Sequence, residues 1–498
     1  QETSLPVVPE PVFGGAGATL VAVAVATAVA GALVAVAGAG VLVGGRGVLV
    51  GLVLPTGERT TWTYDAAGRL RTLTDFDGDI ATTTYSNQLR TVQAGTTTQS
   101  VMLGADQNIT SFTDGRGLTV LTYDPAGRLA RRREPDGASV AYTYDPAGNI
   151  ATLTTPGGTT TYTYDVRNRL ATVTDSDGGV TAYSYTAAGD RHTTSFPNGT
   201  TETLSYDTAR RLTRIEQAGP VGLIDRHVYT RDAANRIIRS EDLSGRVTTF
   251  DYDVRGQLTR ERISDPVDGV HTIDYSYDAV GNRTAVNDSL EGLTTYVFDI
   301  NDRIATSTKG GVVTQYVYDV NGNLISKGSS PTDTTTYTWT PLGKLETVTI
   351  PGSGGPTVVR YEHDAEGRRV SRSVNGVVTR YLLDTTREHE VVLREYSGSG
   401  ATDFVYGQQR VSQTGDSGRN YFLYDAVSGT RALTGAGGAV VATYDYDAYG
   451  NLLAASGTAA TQFLYRGEYR DPLTGLDHLR ARDLDPADGR FISRDRAG

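Results

Sequence analysis

The residues of this chain that could do chemistry together are acidic side chains near its carboxyl end. Asp471 and Asp485 each precede a proline, and Asp495 follows a little later. Two carboxylates close enough to share a proton cannot both ionise, so one acts as a base and the other as an acid. With a water between them, such a pair can attack a peptide carbonyl without a metal or a cysteine. An aspartate before a proline also opens turns well, so the residues alone leave a catalytic and a structural interpretation open.

The composition argues against several other kinds of site. The chain has no cysteine, which removes disulfides and thiolate zinc sites. Its 6 histidines are scattered without the spacing of metal ligands, and no Gly-rich stretch precedes a helical pattern, so we expect no metal and no cofactor. A net charge of −11 argues against nucleic acid as the main partner and suits a soluble, secreted surface.

The elements that must position these carboxylates are copies of one short repeat. The stretch Tyr123-Asp124-Pro125-Ala126-Gly127-Arg128-Leu129 recurs about every 21 residues, which is typical of a repeat architecture. Clear further copies begin at Tyr144, Tyr164, Tyr206, Tyr252, Tyr277, Phe298 and Tyr318.

Each repeat carries two turn signals separated by strand-like runs. In the first, Asp145 can bond the backbone ahead of it and Gly148 can take a positive φ. The second is a shorter pair such as Asp136-Gly137. The runs between them are rich in Thr, Val and Tyr at period two, which predicts strands and an all-β fold. An apolar share of 38%, below the usual value of about 45–50%, favours a hollow wall over a packed sandwich.

The densest motif lies after the repeats and carries a family resemblance. It consists of Tyr465-Arg466-Gly467-Glu468-Tyr469-Arg470-Asp471-Pro472-Leu473-Thr474-Gly475-Leu476, then Leu479-Arg480-Ala481-Arg482, Asp485-Pro486 and Gly489-Arg490-Phe491-Ile492-Ser493-Arg494-Asp495. These residues are similar to the Rhs-repeat-associated core. The repeats resemble the YD repeat of Rhs proteins, of the C components of bacterial insecticidal toxin complexes and of teneurin ectodomains.

The resemblance, which covers residues 48–498, implies both a fold and a division into domains. YD-repeat β-hairpins would coil into a hollow spiral shell, a β-cocoon, closed by a C-terminal core domain. We expect an N-terminal lead over residues 1–47, the shell over 48–384 and the core over 385–498. Within the lead, the Val/Ala/Gly-rich residues 16–44 leave three interpretations open: extra strands or a plug, a membrane segment, and low-complexity sequence that stands in for a poorly known region.

The same resemblance implies a function for the carboxylates. In that family the core is an aspartyl autoprotease, which acts in cis and releases a variable toxin domain that stays inside the shell. Carried over by position, Asp471 and Asp485 supply the two carboxylates, and Arg470 and Arg482 are candidates to hold them or to bind a developing oxyanion. Asp495 is the second choice and Asp483 the third. This chain departs from the pattern at Asp477, His478, Asp483, Leu484 and Arg496.

Two functions follow as hypotheses. The first is a bacterial, secreted or cell-surface container for a toxin domain that would follow Gly498, where the resemblance places the cut. Because the array is short for such a shell, a second shell chain or a secretion apparatus would be a further partner. The second is a surface or wall-associated adhesion or carbohydrate-binding module without proteolysis.

Overall fold

The main element of the protein is one long antiparallel sheet. The computed structural model describes residues 33–36, 39–43, 49–53 and 59–495. Within these residues, 41 strands form the sheet, and each strand pairs with the strand that follows it in the chain. The prediction of an all-β fold is confirmed.

The strands of this sheet are short and regularly spaced. In chain order they are β1 (Leu33–Val36), β2 (Ala39–Val43), β3 (Leu49–Val53), β4 (Arg59–Tyr64), β5 (Leu70–Thr74), β6 (Ile80–Ser86), β7 (Leu89–Ala94), β8 (Thr97–Leu103), β9 (Ile109–Asp114), β10 (Gly117–Tyr123), β11 (Leu129–Arg133), β12 (Ser139–Tyr144), β13 (Ile150–Thr155), β14 (Gly158–Tyr164), β15 (Leu170–Thr174), β16 (Val180–Tyr185), β17 (Arg191–Ser195), β18 (Thr201–Tyr206), β19 (Leu212–Gly219), β20 (Gly222–Arg231), β21 (Ile237–Glu241), β22 (Val247–Tyr252), β23 (Leu258–Asp265), β24 (Gly269–Tyr277), β25 (Arg283–Asp288), β26 (Gly292–Phe298), β27 (Ile304–Lys309), β28 (Val312–Tyr318), β29 (Leu324–Gly328), β30 (Thr335–Trp339), β31 (Leu345–Ile350), β32 (Thr357–His363), β33 (Arg369–Val374), β34 (Val377–Asp384), β35 (Val391–Ser397), β36 (Gly400–Tyr406), β37 (Arg410–Gly415), β38 (Gly418–Tyr424), β39 (Thr430–Thr434), β40 (Val440–Tyr446) and β41 (Leu452–Gly457).

The carboxyl end forms a second, smaller sheet. We call this sheet and the segment that leads into it, residues 461–495, the lid. After a 3₁₀ turn at Tyr465–Gly467, its four antiparallel strands are β42 (Tyr469–Arg470), β43 (Asp477–Leu479), β44 (Arg482–Asp485) and β45 (Arg490–Phe491). The register places Arg470 opposite Asp477 and Asp485 opposite Arg490.

The turn in each repeat is built by its aspartate. Oδ1 of Asp124 accepts hydrogen bonds from the backbone N–H of Ala126 at 3.0 Å and of Arg128 at 2.9 Å, while Nε of Arg128 donates to Oδ2 at 2.8 Å. Gly127 has a φ of 79°, in the left-handed region that glycine enters without a steric cost. The same bonds recur at Asp65, Asp165, Asp207 and Asp299. The prediction that the repeat aspartate bonds the backbone ahead of it is confirmed, at Asp145 by the amide of Asn149.

In many repeats the aromatic residue ties that repeat to the one before it. The Tyr144 hydroxyl donates to the Leu129 carbonyl at 2.7 Å, and the Arg128 guanidinium lies 4.3 Å from the centre of the Tyr144 ring. A buried tyrosine needs such a partner for its polar end. Equivalent bonds to an earlier carbonyl are made by Tyr123, Tyr164, Tyr185, Tyr206, Tyr252, Tyr277, Trp339, Tyr424 and Tyr446.

The sheet coils upon itself. Residues that meet from neighbouring laps are at first about 240 positions apart: the Phe76 amide and Asn321 by 245, Tyr142 and Asp384 by 242, and Asn198 and Thr434 by 236. Within the main sheet the separation falls to 199 for Arg246 and Asp445 and to 187 for Glu261 and Ala448, so the coil tightens toward the end of this sheet. The lid folds back onto earlier wall strands, at separations that include 99 for Arg372 and Asp471 and 208 for Asn282 and Arg490.

The lid packs against the wall strands of this coil. Leu476 and Ile492 are buried. They pack against four tyrosines, one from each of several successive repeats: Tyr296, Tyr316, Tyr337 and Tyr361. The backbone N–H of Leu324 donates to the Ile492 carbonyl at 2.8 Å, so the wall and the lid also share a main-chain bond. The spiral β-shell closed at its carboxyl end is therefore the observed fold.

The main sheet continues across the expected boundary between shell and core. β34 pairs with β35 through Asp384 and Val391, and strand pairing runs on to Gly457. The division at residues 384 and 385 stays a prediction. Of residues 16–44, the parts Leu33–Val36 and Ala39–Val43 are strands of the sheet, and the remainder lies outside the described residues. Within the described ranges there is no helix with the length and apolar character needed to cross a membrane.

Candidate functional site

Asp471 is held in a dense network at the start of the lid. Its Oδ2 accepts from the Tyr361 hydroxyl at 2.7 Å and from Arg372 Nε at 2.6 Å, and its Oδ1 accepts from Arg372 Nη2 at 3.0 Å. The backbone amides of Leu473 and Thr474 donate to Oδ1 as well. Burial opposes ionisation, but the hydrogen bonds and charge of Arg372 outweigh it, so the pKa of Asp471 is lowered. This carboxylate stays charged.

Asp483 lies in a second buried network beside the first. Both of its oxygens accept from Arg369 Nη2, at 2.9 and 3.0 Å, and Oδ1 lies 3.1 Å from His478 Nδ1. Burial again opposes the charge, and the Arg369 guanidinium outweighs it and lowers the pKa of Asp483. Burial lowers the pKa of His478, aided by the positive charge of Arg369, so His478 resists protonation. Asp483 is thus an ion-pair partner that anchors the lid to β33.

Asp485 shares a lysine with Asp488, a residue that the sequence did not single out. Lys327 Nζ lies 2.7 Å from Oδ2 of Asp485 and 2.7 Å from Oδ2 of Asp488. Oδ1 of Asp488 accepts from the Tyr316 hydroxyl at 2.9 Å. Burial, followed by the charge of Asp485, raises the pKa of Asp488. Burial disfavours the ammonium of Lys327, but the two carboxylates outweigh it and raise the pKa of the lysine.

The predicted arginine contacts differ from those observed. Arg470 donates to both oxygens of Asp477, at 2.7 and 2.6 Å, because the two residues face each other across β42 and β43. Arg482 lies 3.3 Å from Asp495, and its guanidinium sits 3.7 Å from the centre of the Phe491 ring. The expectation that these arginines hold Asp471 and Asp485 is corrected on this point: Arg470 pairs with its cross-strand neighbour Asp477, and Arg482 pairs with Asp495. A role for either arginine in binding a developing oxyanion stays a prediction.

The two carboxylates expected to act as a pair do not share a partner. Asp471 is bonded to Tyr361 and Arg372, and Asp485 to Lys327 and to the backbone amides of Ala487 and Asp488. The acid pair that the fold brings together is Asp485 with Asp488. Asp495 is largely exposed, with 65% of its side chain accessible. A catalytic role for the five residues predicted from the sequence stays a proposal; they are Asp471, Asp485, Arg470, Arg482 and Asp495.

The residues that sequence reasoning missed are the wall partners: Lys327, Arg372, Arg369, Tyr316 and Tyr361. One signal was available for the first. The chain has three lysines, Lys309, Lys327 and Lys344, among its 46 basic residues, so a lysine is the exception here. The arginines carried no such signal. No group of three or more potential metal ligands with suitable geometry occurs among the residues that the structure describes.

Fold and site together define a repeat β-shell with a lid at its carboxyl end, and comparison with known families agrees. The Teneurin YD-shell model matches residues 226–498, more than half of the chain. The RHS Repeat model matches residues 45–80, 105–139, 123–160 and 144–180. The chain belongs to the Teneurin YD-shell family, and the resemblance to YD-repeat and Rhs proteins is confirmed.

Several curated proteins are similar to this chain over part of its length. The tRNA3(Ser)-specific nuclease WapA of Bacillus spizizenii is 33% identical over 184 residues, 36% of this chain and 8% of that protein. Double-stranded DNA deaminase toxin A of Burkholderia cenocepacia is 25% identical over 216 residues, 37% of this chain and 15% of that protein. Human Teneurin-4 is 29% identical over 205 residues, 40% of this chain and 7% of that protein. The matched parts are small fractions of these longer proteins.

Among solved structures, the crystal structure of TcdB2-TccC3-Cdc42 aligns with 92% of this chain and 35% of that one, at 14% identity and a TM-score of 0.37. A score this low carries no argument about the fold, which rests on the strand pairing and the family match described above.

Proposed function

We propose that this chain is the wall and lid of a shell that encloses a toxin domain joined to its carboxyl end. The supporting observation is the packing of the lid, which buries Leu476 and Ile492 against wall tyrosines and accepts hydrogen bonds from Tyr361 and Tyr316. A domain connected to the lid would begin inside the coil. Two relatives bear the names of a tRNA nuclease and a deaminase toxin, and the described residues here form a β wall. We therefore assign this chain to the enclosing part.

Partners and a place of action follow from the role of an enclosing shell. The occupant is a toxin domain, and a second shell chain or a delivery apparatus is a further proposed partner. The acidic net charge of −11 suits an outer surface that does not bind nucleic acid. We propose a bacterial protein that acts outside the cell that makes it.

Protection from protease tests the enclosure. A small reporter domain fused after Gly498 should survive a digestion that destroys the same reporter free in solution, since protease reaches only what lies outside the wall. The matched control carries the reporter before Gln1, where digestion should proceed as for the free domain. Equal digestion of the two fusions would contradict the proposal.

A second candidate function is self-cleavage in cis by aspartates. The observation that favours it is the approach of Asp485 and Asp488 to one ammonium group, which brings two carboxylates together in a largely buried site. Asp471 would then act through its position in the lid, with Arg470, Arg482 and Asp495 as supporting candidates.

A denaturing gel decides this second candidate. The reporter fusion should run as two bands, and Asp471→Asn and Asp485→Asn should each give a single band while circular dichroism shows that the β fold persists. Two bands in both variants would refute the assignment, and a single band for the unmodified fusion would remove self-cleavage altogether. Neither result bears on the enclosure.

A further inference from the structure

The cluster around Lys327 combines groups that a plain ion pair does not need. An ammonium nitrogen lies 2.7 Å from an oxygen of Asp485, and a second carboxylate, that of Asp488, lies 2.7 Å from the same nitrogen. Buried ion pairs are more often made by arginine, and the other cations that contact the lid from the wall strands β25 and β33 are Arg283, Arg369 and Arg372. Lysine differs from arginine in having a nitrogen that becomes a nucleophile once it loses a proton.

The carboxyl group of Asp485 is fixed in one orientation by its own loop. Oδ1 accepts from the backbone N–H of Ala487 at 3.0 Å and of Asp488 at 3.4 Å, so Oδ2 is left facing the lysine. Two backbone N–H groups on one oxygen are the arrangement that stabilises a negative charge developing there during attack on the carbon. The opposite oxygen is free to leave.

Aromatic side chains surround the three groups. The rings of Tyr296, Tyr316 and Tyr337 are buried, and Lys327 Nζ lies 5.4 Å from the centre of the Tyr316 ring. Exclusion of water favours the formation of an amide over its hydrolysis. The two carboxylates hold Lys327 as an ammonium, so a proton must pass to a carboxylate before the amine can attack. The site is not sealed, since 23% of the Lys327 side chain is exposed, and this gives a released water a way out.

We propose that Lys327 and Asp485 form an intramolecular isopeptide bond, with Asp488 as the acid–base group, and that this bond locks the lid to β29. A proton passes from the ammonium through Asp488 to Oδ2 of Asp485, which converts the carboxylate to an acid that the free amine can attack. The N–C bond forms as negative charge collects on Oδ1. A second proton leaves the nitrogen by the same path, and Oδ2 departs as water.

The balance of this step is complete without another reagent. The ammonium brings three protons, of which one stays on the amide nitrogen and two leave in the water, while Asp488 returns to its starting state. Nothing is oxidised or reduced. The bond would close a loop between residues 158 positions apart, so the denatured chain would be branched. This inference is independent of the proposed toxin cargo.

Intact mass measurement of the denatured whole chain tests it. The chain should be lighter than its sequence by the mass of one water. Because trypsin does not cut after an acylated lysine, digestion should yield residues 310–344 joined to residues 483–490. Lys327→Arg keeps the positive charge and Asp488→Asn keeps the shape, and both should have the full sequence mass. Leu473→Ala, in the same lid but with an exposed side chain, should still be one water lighter.

Mass measurement of the unmodified chain can also contradict the cross-link. A full sequence mass, with trypsin cutting normally after Lys327, would overturn the inference, and so would a lost water without the joined peptides. An Asp485 consumed in an amide cannot act as an acid in self-cleavage. Two fragments of unmodified composition would therefore support cleavage and exclude the cross-link.

Discussion

Replacement of Asp471 by asparagine should weaken the attachment of the lid to the wall. The variant keeps the size of the side chain and an oxygen that can accept from Leu473 and Thr474. It removes the charge that faces Arg372 Nε at 2.6 Å and Nη2 at 3.0 Å. The guanidinium then remains buried without a counter-charge.

The size of the effect follows from burial. Asp471 is 1% exposed and the Arg372 side chain 11% exposed. Breaking a buried pair by removing one partner costs about 3–5 kcal/mol in the free energy of unfolding, because the remaining charge is left uncompensated. The matched control is Asp495→Asn, where the carboxylate facing Arg482 is 65% exposed. Screening by water limits that loss to below about 1 kcal/mol.

Urea unfolding followed by circular dichroism measures both values, and limited proteolysis shows whether residues 461–495 become accessible first. Equal decreases in the free energy of unfolding for the two variants would refute the argument, since burial would then not determine how much an ion pair stabilises the fold. The pH dependence gives an independent check. The pKa of Asp471 is lowered in the fold, so its contribution is complete above the unfolded pKa of about 3.9 and is lost as the pH falls through the folded value. The difference between the native chain and Asp471→Asn should shrink below about pH 4.

Two further predictions concern the wall. Gly127→Ala should cost about 1 kcal/mol in the free energy of unfolding because φ is +79°, while the added methyl group makes only an ordinary contact, 3.9 Å from Asn108 Nδ2. Gly115→Ala, where the methyl group meets open space and φ is not in the left-handed region, should cost less. Equal costs would mean that φ is not the cause. Arg132→Met removes a fully buried guanidinium that lies 3.0 Å from Asp364 on the neighbouring lap, and should cost about 3–5 kcal/mol. Its exposed neighbour, changed as Arg131→Met, should stay within about 0.5 kcal/mol in the same urea titration, and a comparable loss there would contradict the lap contact.

The repeat was predictable from sequence because its bonds are local. Asp124 bonds to Ala126 and Arg128, a few residues away, so one short stretch contains the whole turn. The alternation of Thr, Val and Tyr likewise depends only on neighbours in the chain. Strands, turns and the all-β class all follow from such short-range patterns.

The partners of the site residues were not predictable in the same way. Arg372 lies 99 positions before Asp471, and Lys327 lies 158 positions before Asp485. These distances depend on how many repeats make one lap and on how far the coil tightens. Both are set by the summed twist of many strands, which no single repeat reveals. The sequence therefore singled out Asp471, Asp483 and Asp485, but it missed Asp488 and did not indicate which basic residue each carboxylate meets.

Hydrogen exchange of the lid tests the central claim most directly. The amides of Arg470, Asp471 and Ile492 donate to the carbonyls of Gln462, Leu476 and Asp483, and the Leu324 amide joins the wall to the lid. If the lid is bound inside the coil, these amides should exchange as slowly as those of wall strands such as β28. Exchange at the rate of an exposed loop, with the wall still protected, would show that the lid is not held within the shell.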